Sequence, residues 1–267
     1  MEQYRLDKVV KVFERRQRAL DGMNLTIRRG ERVALIGPSG AGKTTLFRIL
    51  NLTLRPTSGK LWIDGKEVER LHGKKLREAR QKIGTVYQQH NLVPRLKVIH
   101  NVLSGRLGAW STLRSLVSLL RPRDIELAYD ALKRVGIGEK ILARTDELSG
   151  GQQQRVAIAR VLLQNPEVIL ADEPVSSVDR SLASTIVQLL MDISKQTGKT
   201  LLVNLHSVDL ALSYFSRVIG VKNGTTMFDL SPDDVNDELL EDLYSGHLPE
   251  NDQDMSSDEE SRAPVLQ

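Results

Sequence analysis

Apolar residues along this chain fall into two patterns. The first is short unbroken runs: Val33-Ala34-Leu35-Ile36, Val168-Ile169-Leu170-Ala171 and Leu201-Leu202-Val203. Runs of this length are expected as strands covered on both faces, the habit of a parallel sheet. The second is spacing by threes and fours. Leu107, Trp110, Leu113, Val117 and Leu120 form a one-sided stripe that predicts a helix; Pro122 ends it and Asp124 opens another. Val156, Ala159, Leu162 and Leu163 repeat the spacing after Ser149, and residues 44–50 read as a helix behind the first strand. An early section is β-rich, with a short strand around Gly59 to Gly65, and a strand within Arg80 to Tyr87 leads to Gln88. Asn223-Gly224 marks a hairpin turn near the end. The pattern predicts an α/β core interrupted by a helical insertion at about 96–150.

The polar residues at the strand ends carry the chemistry. Gly37-Pro38-Ser39-Gly40-Ala41-Gly42-Lys43-Thr44 fits G-x-x-x-x-G-K-[ST], between a predicted strand and a predicted helix. Its glycines permit a turn whose N–H groups face inward as an anion nest, and the helix start adds free N–H groups and a positive dipole end. Lys43 would reach the β- and γ-phosphates, and the Thr44 hydroxyl would bind Mg²⁺. A second strand ends in Asp172-Glu173. Carboxylates at that end of an open sheet sit where ligands bind; Asp172 is placed to hold Mg²⁺, and Glu173 to polarise an attacking water. Between these motifs lies Leu148-Ser149-Gly150-Gly151-Gln152. Ser149 is expected to cap a helix whose glycine-rich start offers a second phosphate-facing end. His206, ending the strand run 201–205, is better placed to meet a phosphate than His72, His90, His100 or His247.

Composition narrows the setting. The chain has 267 residues, 40% of them hydrophobic, and no cysteine, so it has no disulfide and no thiolate metal site. Its longest apolar runs fall well short of the ~20 residues that span a bilayer, and its start does not read as a signal peptide. Charge is uneven. Residues 229–267 hold 13 acids and one base, Arg262, for a net of −12, which leaves +16 on the first 228 residues of a chain with net charge +4. A basic body raises the possibility of nucleic acid or an anionic membrane as partner. Residues 1–248 read as one ATP-binding domain, and the acidic stretch 249–267 as a disordered tail.

The run 148–152 resembles the signature of ATP-binding-cassette (ABC) ATPases, and other marks fall in that family's order over residues 4–246. The resemblance implies a P-loop NTPase core with an N-terminal antiparallel β subdomain and a helical subdomain inserted between Gln88 and the signature. It implies ATP and Mg²⁺ as cofactors. Gly37, Pro38, Ser39, Gly40, Ala41, Gly42, Lys43, Thr44 and Thr45 would cradle the nucleotide, with Phe13 stacking on adenine. Glu173, His206, Gln88 and Lys43 would serve catalysis; Thr44, Gln88 and Asp172 would serve the metal. Ser149, Gly150, Gly151, Gln152 and Asp179, the last in the segment Ser176-Ser177-Val178-Asp179, would reach the nucleotide of a second copy packed head to tail. The segments 101–116, 170–175, 203–211 and 217–229 resemble phosphonate-importer ATPases more narrowly, with departures at Val178, Arg180 and the acidic tail.

The expected function is therefore an ATP-hydrolysing subunit, peripheral at the cytoplasmic face of the inner membrane. It would drive uptake of phosphonates or phosphite-like oxyanions through a separate permease, and would work indirectly with a substrate-binding protein. Direct nucleic-acid binding is not expected. The alternatives are a soluble ABC ATPase acting on nucleic acid or ribosomes, or the ATPase of another transporter class. The stripe from Leu107 to Leu120 is expected to contact or support the permease dock.

Overall fold

The structure, a computed structural model, describes residues 1–14, 17–120, 122, 124–176 and 179–245, with the backbone alone at 112, 113, 119 and 120. The chain opens on two long strands, β1 (Glu2–Val12) and β2 (Arg18–Arg28), then runs through β3 (Arg32–Ile36) into α1 (Lys43–Leu50). It returns through β4 (Ser58–Ile63), β5 (Lys66–Glu67) and α2 (Gly73–Gln81) to β6 (Ile83–Val86). Three helices follow, α3 (Val98–Leu103), α4 (Thr112–Leu120) and α5 (Ile125–Arg134), and then α6 (Gly150–Gln164). Strands and helices alternate thereafter: β7 (Val168–Asp172), α7 (Arg180–Thr197), β8 (Thr200–Asn204), α8 (Val208–Tyr214), β9 (Arg217–Lys222), β10 (Thr225–Leu230) and α9 (Asp237–Tyr244).

Two sheets result. One has four antiparallel strands in the order β2-β1-β4-β5. The other has six in the order β10-β9-β3-β8-β7-β6, parallel except for β10. The parallel strands show why their sequences are apolar at every position. Along β3, Ala34 and Ile36 enter one core while Val33 and Leu35 enter another. Along β7, Ile169 and Ala171 face the first core, and Val168 and Leu170 the second. The first core joins the sheet to α6 and α7; the second joins its other face to α1 and the antiparallel sheet. Arg217 fastens the two sheets together. Its guanidinium donates to Asp229 and Glu31 at 2.6 Å each and to the Thr26 carbonyl at 3.0 Å.

The α/β core, the helical insertion after Gln88 and the hairpin at Asn223-Gly224 stand as the sequence predicts; both turn residues have positive φ, as a tight two-residue hairpin requires. Helix α2 was not expected. It buries no residue fully, and only Leu76 and Ala79 reach the second core, too few to form a stripe that would reveal it. The stripe 107–120 divides. Trp110 is only 7% exposed and packs in the first core, with the Arg114 guanidinium 4.9 Å from its ring centroid. Leu107 and Val117 are exposed, and Leu113 and Leu120 lie outside the described side chains. Trp110 is thus a packing residue, and the exposed members of the stripe are the ones open to a partner.

Emptying the Trp110 position leaves a cavity in a core shared by several elements. Trp110→Ala should lower stability by about 3 kcal/mol. Thermal unfolding followed by circular dichroism measures this, and binding of a fluorescent ATP analogue should persist below the melting range. An unchanged melting temperature would return Trp110 to the surface role.

Candidate functional site

The site forms where β3 ends. Gly37 has φ 146° and Gly42 has φ 101°. Neither position has room for a side chain: a Cβ on Gly37 would lie 2.1 Å from the Val221 carbonyl oxygen, and one on Gly42 would lie 2.2 Å from that of Ala19. The loop is therefore threaded between β9 and β2, and glycine is required by both conformation and contact. It delivers the start of α1, whose first-turn N–H groups have no acceptor within the helix. Residues 39–45 line an open cleft of about 460 Å³ together with Phe13, Glu173 and His206.

Lys43 is 5% exposed, and its ammonium donates to the Gly37 and Pro38 carbonyls at 2.5 and 3.0 Å. Burial pushes its pKa down, and the nearby carboxylates Glu173 and Asp172 oppose the shift. Asp172 shows the mirror image. Burial raises its pKa most; hydrogen bonds from Asn204 and Thr44 and the charge of Lys43 pull it down, while Glu173 raises it. Asn204 Nδ2 donates to Asp172 Oδ1 at 2.7 Å. Glu173 sits at φ 50°, a costly conformation for a residue with a side chain, and its N–H donates to the Asn204 carbonyl at 3.2 Å. The twist turns its carboxylate toward His206, whose Nε2 lies 2.7 Å from Oε1. Nε2–H is the donor in that bond, which fixes the tautomer of a neutral ring.

A buried lysine with only carbonyl partners, beside free helix-start N–H groups, suits phosphate. A desolvated carboxylate bonded to the Thr44 hydroxyl supplies the hard oxygen ligands that Mg²⁺ takes. The residues present thus fit a nucleotide and its metal ion.

The other sequence-predicted residues stand apart from this cleft. Gln88 is exposed in the turn beyond β6. Ser149 caps α6: its hydroxyl accepts from Gln152 N–H at 3.3 Å, and Gln152 Oε1 accepts from Ser149 N–H at 3.1 Å. Asp179 caps α7, accepting from Leu182 N–H at 2.9 Å. The two helix starts touch, since a Cβ on Gly151 would meet the Leu182 side chain at 2.5 Å, while Gly150 opens onto free space. Ser177 and Val178 lie outside the described residues.

Sequence reasoning missed Asn204, which holds both Asp172 and the Glu173 backbone; an asparagine inside an apolar strand run was its signal. It also missed Arg160 of α6, which donates to the His90 and Asn91 carbonyls at 2.9 and 2.6 Å. Those two residues are in the left-handed region and follow directly on Gln88 and Gln89, so the signature helix grips the loop that carries Gln88.

The ABC transporter domain family matches residues 20–176. The phosphonates import ATP-binding protein PhnC 1 of Pseudomonas aeruginosa is 49% identical over 240 residues, covering 90% of each chain. The protein PhnC 3 of the same description from Halalkalibacterium halodurans is 45% identical over 241 residues, 90% of this chain and 93% of the relative. Among solved structures, the dimeric ATP-binding cassette MJ0796 bound to ADP and Pi aligns at a TM-score of 0.72 and 34% identity, over 86% of this chain and 98% of that one. The cbiO1 subunit from Clostridium perfringens, part of an ABC transporter complex, aligns at 0.76 and 29%, over 93% and 96%. With its phosphate loop, strand-end carboxylates and capped signature helix, the chain belongs to the ABC transporter family of ATP-binding proteins.

Proposed function

We propose that this chain is the ATP-hydrolysing subunit of an importer for phosphonates or phosphite-like oxyanions. It would work as a head-to-tail pair on the cytoplasmic face of a membrane permease. The observation that carries the hydrolytic reading is the convergence of Lys43, Glu173 and His206 on one cleft, with Asp172 bonded to Thr44 at its edge. The cargo reading rests on kinship: relatives of 43–49% identity over about nine-tenths of the chain are phosphonates import ATP-binding proteins. That kinship does not favour action on nucleic acid or ribosomes. No helix among the described residues is long and apolar enough to cross a membrane, which agrees with a separate permease doing so.

The chain's own residues divide the work. Phe13, partly exposed at the mouth of the cleft, offers a face for the base. The loop N–H groups and Lys43 hold the phosphates, the ammonium leaving the Gly37 and Pro38 carbonyls to do so. Thr44 and Asp172 would hold Mg²⁺, which would supply positive charge against the nucleotide's phosphates. Glu173 accepts a proton from, and orients, the attacking water; His206 keeps that carboxylate turned into the cleft and donates through Nε2–H. Ser149 and the glycines after it would complete the cleft of the second copy, because on their own chain they stand outside it.

Glu173→Gln should retain ATP binding and lose turnover by about a hundredfold or more. Gel filtration with Mg-ATP should show the variant trapped as a dimer; hydrolysis at the parental rate would remove Glu173 from the role.

Ser149→Arg should abolish hydrolysis and leave ATP binding to the same chain intact, since a long cation would fill the facing cleft. The substitution also removes a helix cap worth about 1 kcal/mol. Ser149→Ala removes that cap without the bulk and should keep substantial turnover. Equal losses in the two variants would argue that capping, not a partner's nucleotide, explains Ser149.

A further inference from the structure

Away from the phosphate cleft, the outer side of β6 carries a cleft of about 610 Å³ between α2, the turn at 104–109 and α6. Arg77, Arg80, Arg106 and Arg160 line it, and among the described residues no carboxylate does. The hydrogen bonds that Arg80 and Arg160 make here go to neutral carbonyls, of Leu52 and of His90 and Asn91. The Arg106 Nε is buried with no acceptor. Among the described residues, four guanidinium charges thus meet in one concavity with no carboxylate lining it. A second, smaller cavity of about 250 Å³ shares Arg160 with the first and is apolar, walled by Leu107 and Trp110. The combined surface asks for an extended acidic segment with at least one apolar side chain among its acids.

The chain contains such a segment. Residues 250–262 hold Glu250, Asp252, Asp254, Asp258, Glu259 and Glu260 against one base, Arg262, with Met255 among them. The segment is attached within reach. The described chain ends at Ser245, whose hydroxyl accepts from Lys222 at the end of β9 at 2.8 Å. Four strand steps, about 19 Å at the usual strand spacing, separate β9 from β6 through the sheet, and the path over the surface is longer, so the far part of the stretch, toward Glu260, is the part that reaches furthest into the cleft. Seven to fifteen residues, the distance along the chain from Ser245 to Asp252 and to Glu260, span up to about 24 to 50 Å when extended.

We propose that the acidic stretch 250–260 occupies the arginine cleft of its own chain, with its carboxylates on Arg77 and Arg106 and Met255 toward the apolar cavity beside Trp110. The attraction is between charges, one of them on the partly buried Arg106 and the other on the exposed Arg77, so it weakens with salt. Seated there, the tail keeps the cleft from other acidic segments, and a partner chain that uses this face has to displace it. The proposal does not depend on the transport reading; it would hold for an ATPase of any cargo.

The absence of cysteine permits a direct test on the full chain. Met255→Cys, labelled with a benzophenone maleimide and irradiated without nucleotide, should crosslink within its own chain to peptides containing Arg77, Arg80 or residues 104–109. Changing Asp252, Asp254, Asp258, Glu259 and Glu260 to their amides should lower that yield by about tenfold, as should ~1 M salt. Arg77→Glu, on the exposed face of α2, should lower it as well. Crosslinks spread over other faces, crosslinks only between chains, or a yield indifferent to the amide substitutions would each overturn the assignment. The last outcomes would leave the cleft to an acidic segment of another protein.

Discussion

Backbone meets backbone at two points of the phosphate loop, and the rest of the site depends on those contacts. Gly37 lies against the Val221 carbonyl and Gly42 against that of Ala19, so the loop is held by β9 on one side and β2 on the other. One of those strands belongs to the parallel sheet and the other to the antiparallel sheet. The loop can hold its shape only while the two sheets keep their spacing, which is the work of the second core and of Arg217. Phosphate geometry is thus set by packing between layers, well away from any phosphate-binding group.

Within that frame the electrostatics are arranged in opposition. Burial disfavours the charge on Lys43 and the charge on Asp172 at once, and each partly rescues the other. A site in this condition gains from an anion beside the lysine and a cation beside the carboxylate together, more than from either alone. Glu173 is treated differently. Its strained backbone and its bond to His206 turn it toward open cleft, while its charge still acts on both Lys43 and Asp172, which is how two adjacent carboxylates come to hold two different positions.

Much of this is legible in the residues. The unbroken apolar runs identify the parallel strands because both faces of each are covered, and the glycine pattern with Lys43 and Thr44 identifies the loop. What escaped has physical reasons. Helix α2 touches the second core through Leu76 and Ala79 alone, neither fully buried, and two such residues are too few to set a period. Trp110 shares a stripe with exposed Leu107 and Val117, and periodicity identifies a face without saying which of its members reach the core. Asn204 and Arg160 act through contacts with residues 32 and about 70 positions away, and spacing along the chain carries no trace of such pairings. Ser149 was legible as a cap because its partner Gln152 is three residues off.

Helix α6 has Ser149 at its head and Arg160 more than halfway along its 15 residues. A helix of that length is about 22 Å of continuous hydrogen-bonded rod. One end faces away from its own chain's phosphate cleft, while the other part holds the His90–Asn91 loop by two short bonds. A force applied at the capped end has no soft joint in which to dissipate before it reaches that loop. The helix is therefore a strut between Ser149 and the loop that follows Gln88, and in the proposed head-to-tail pair a displacement at one end would be carried to the other.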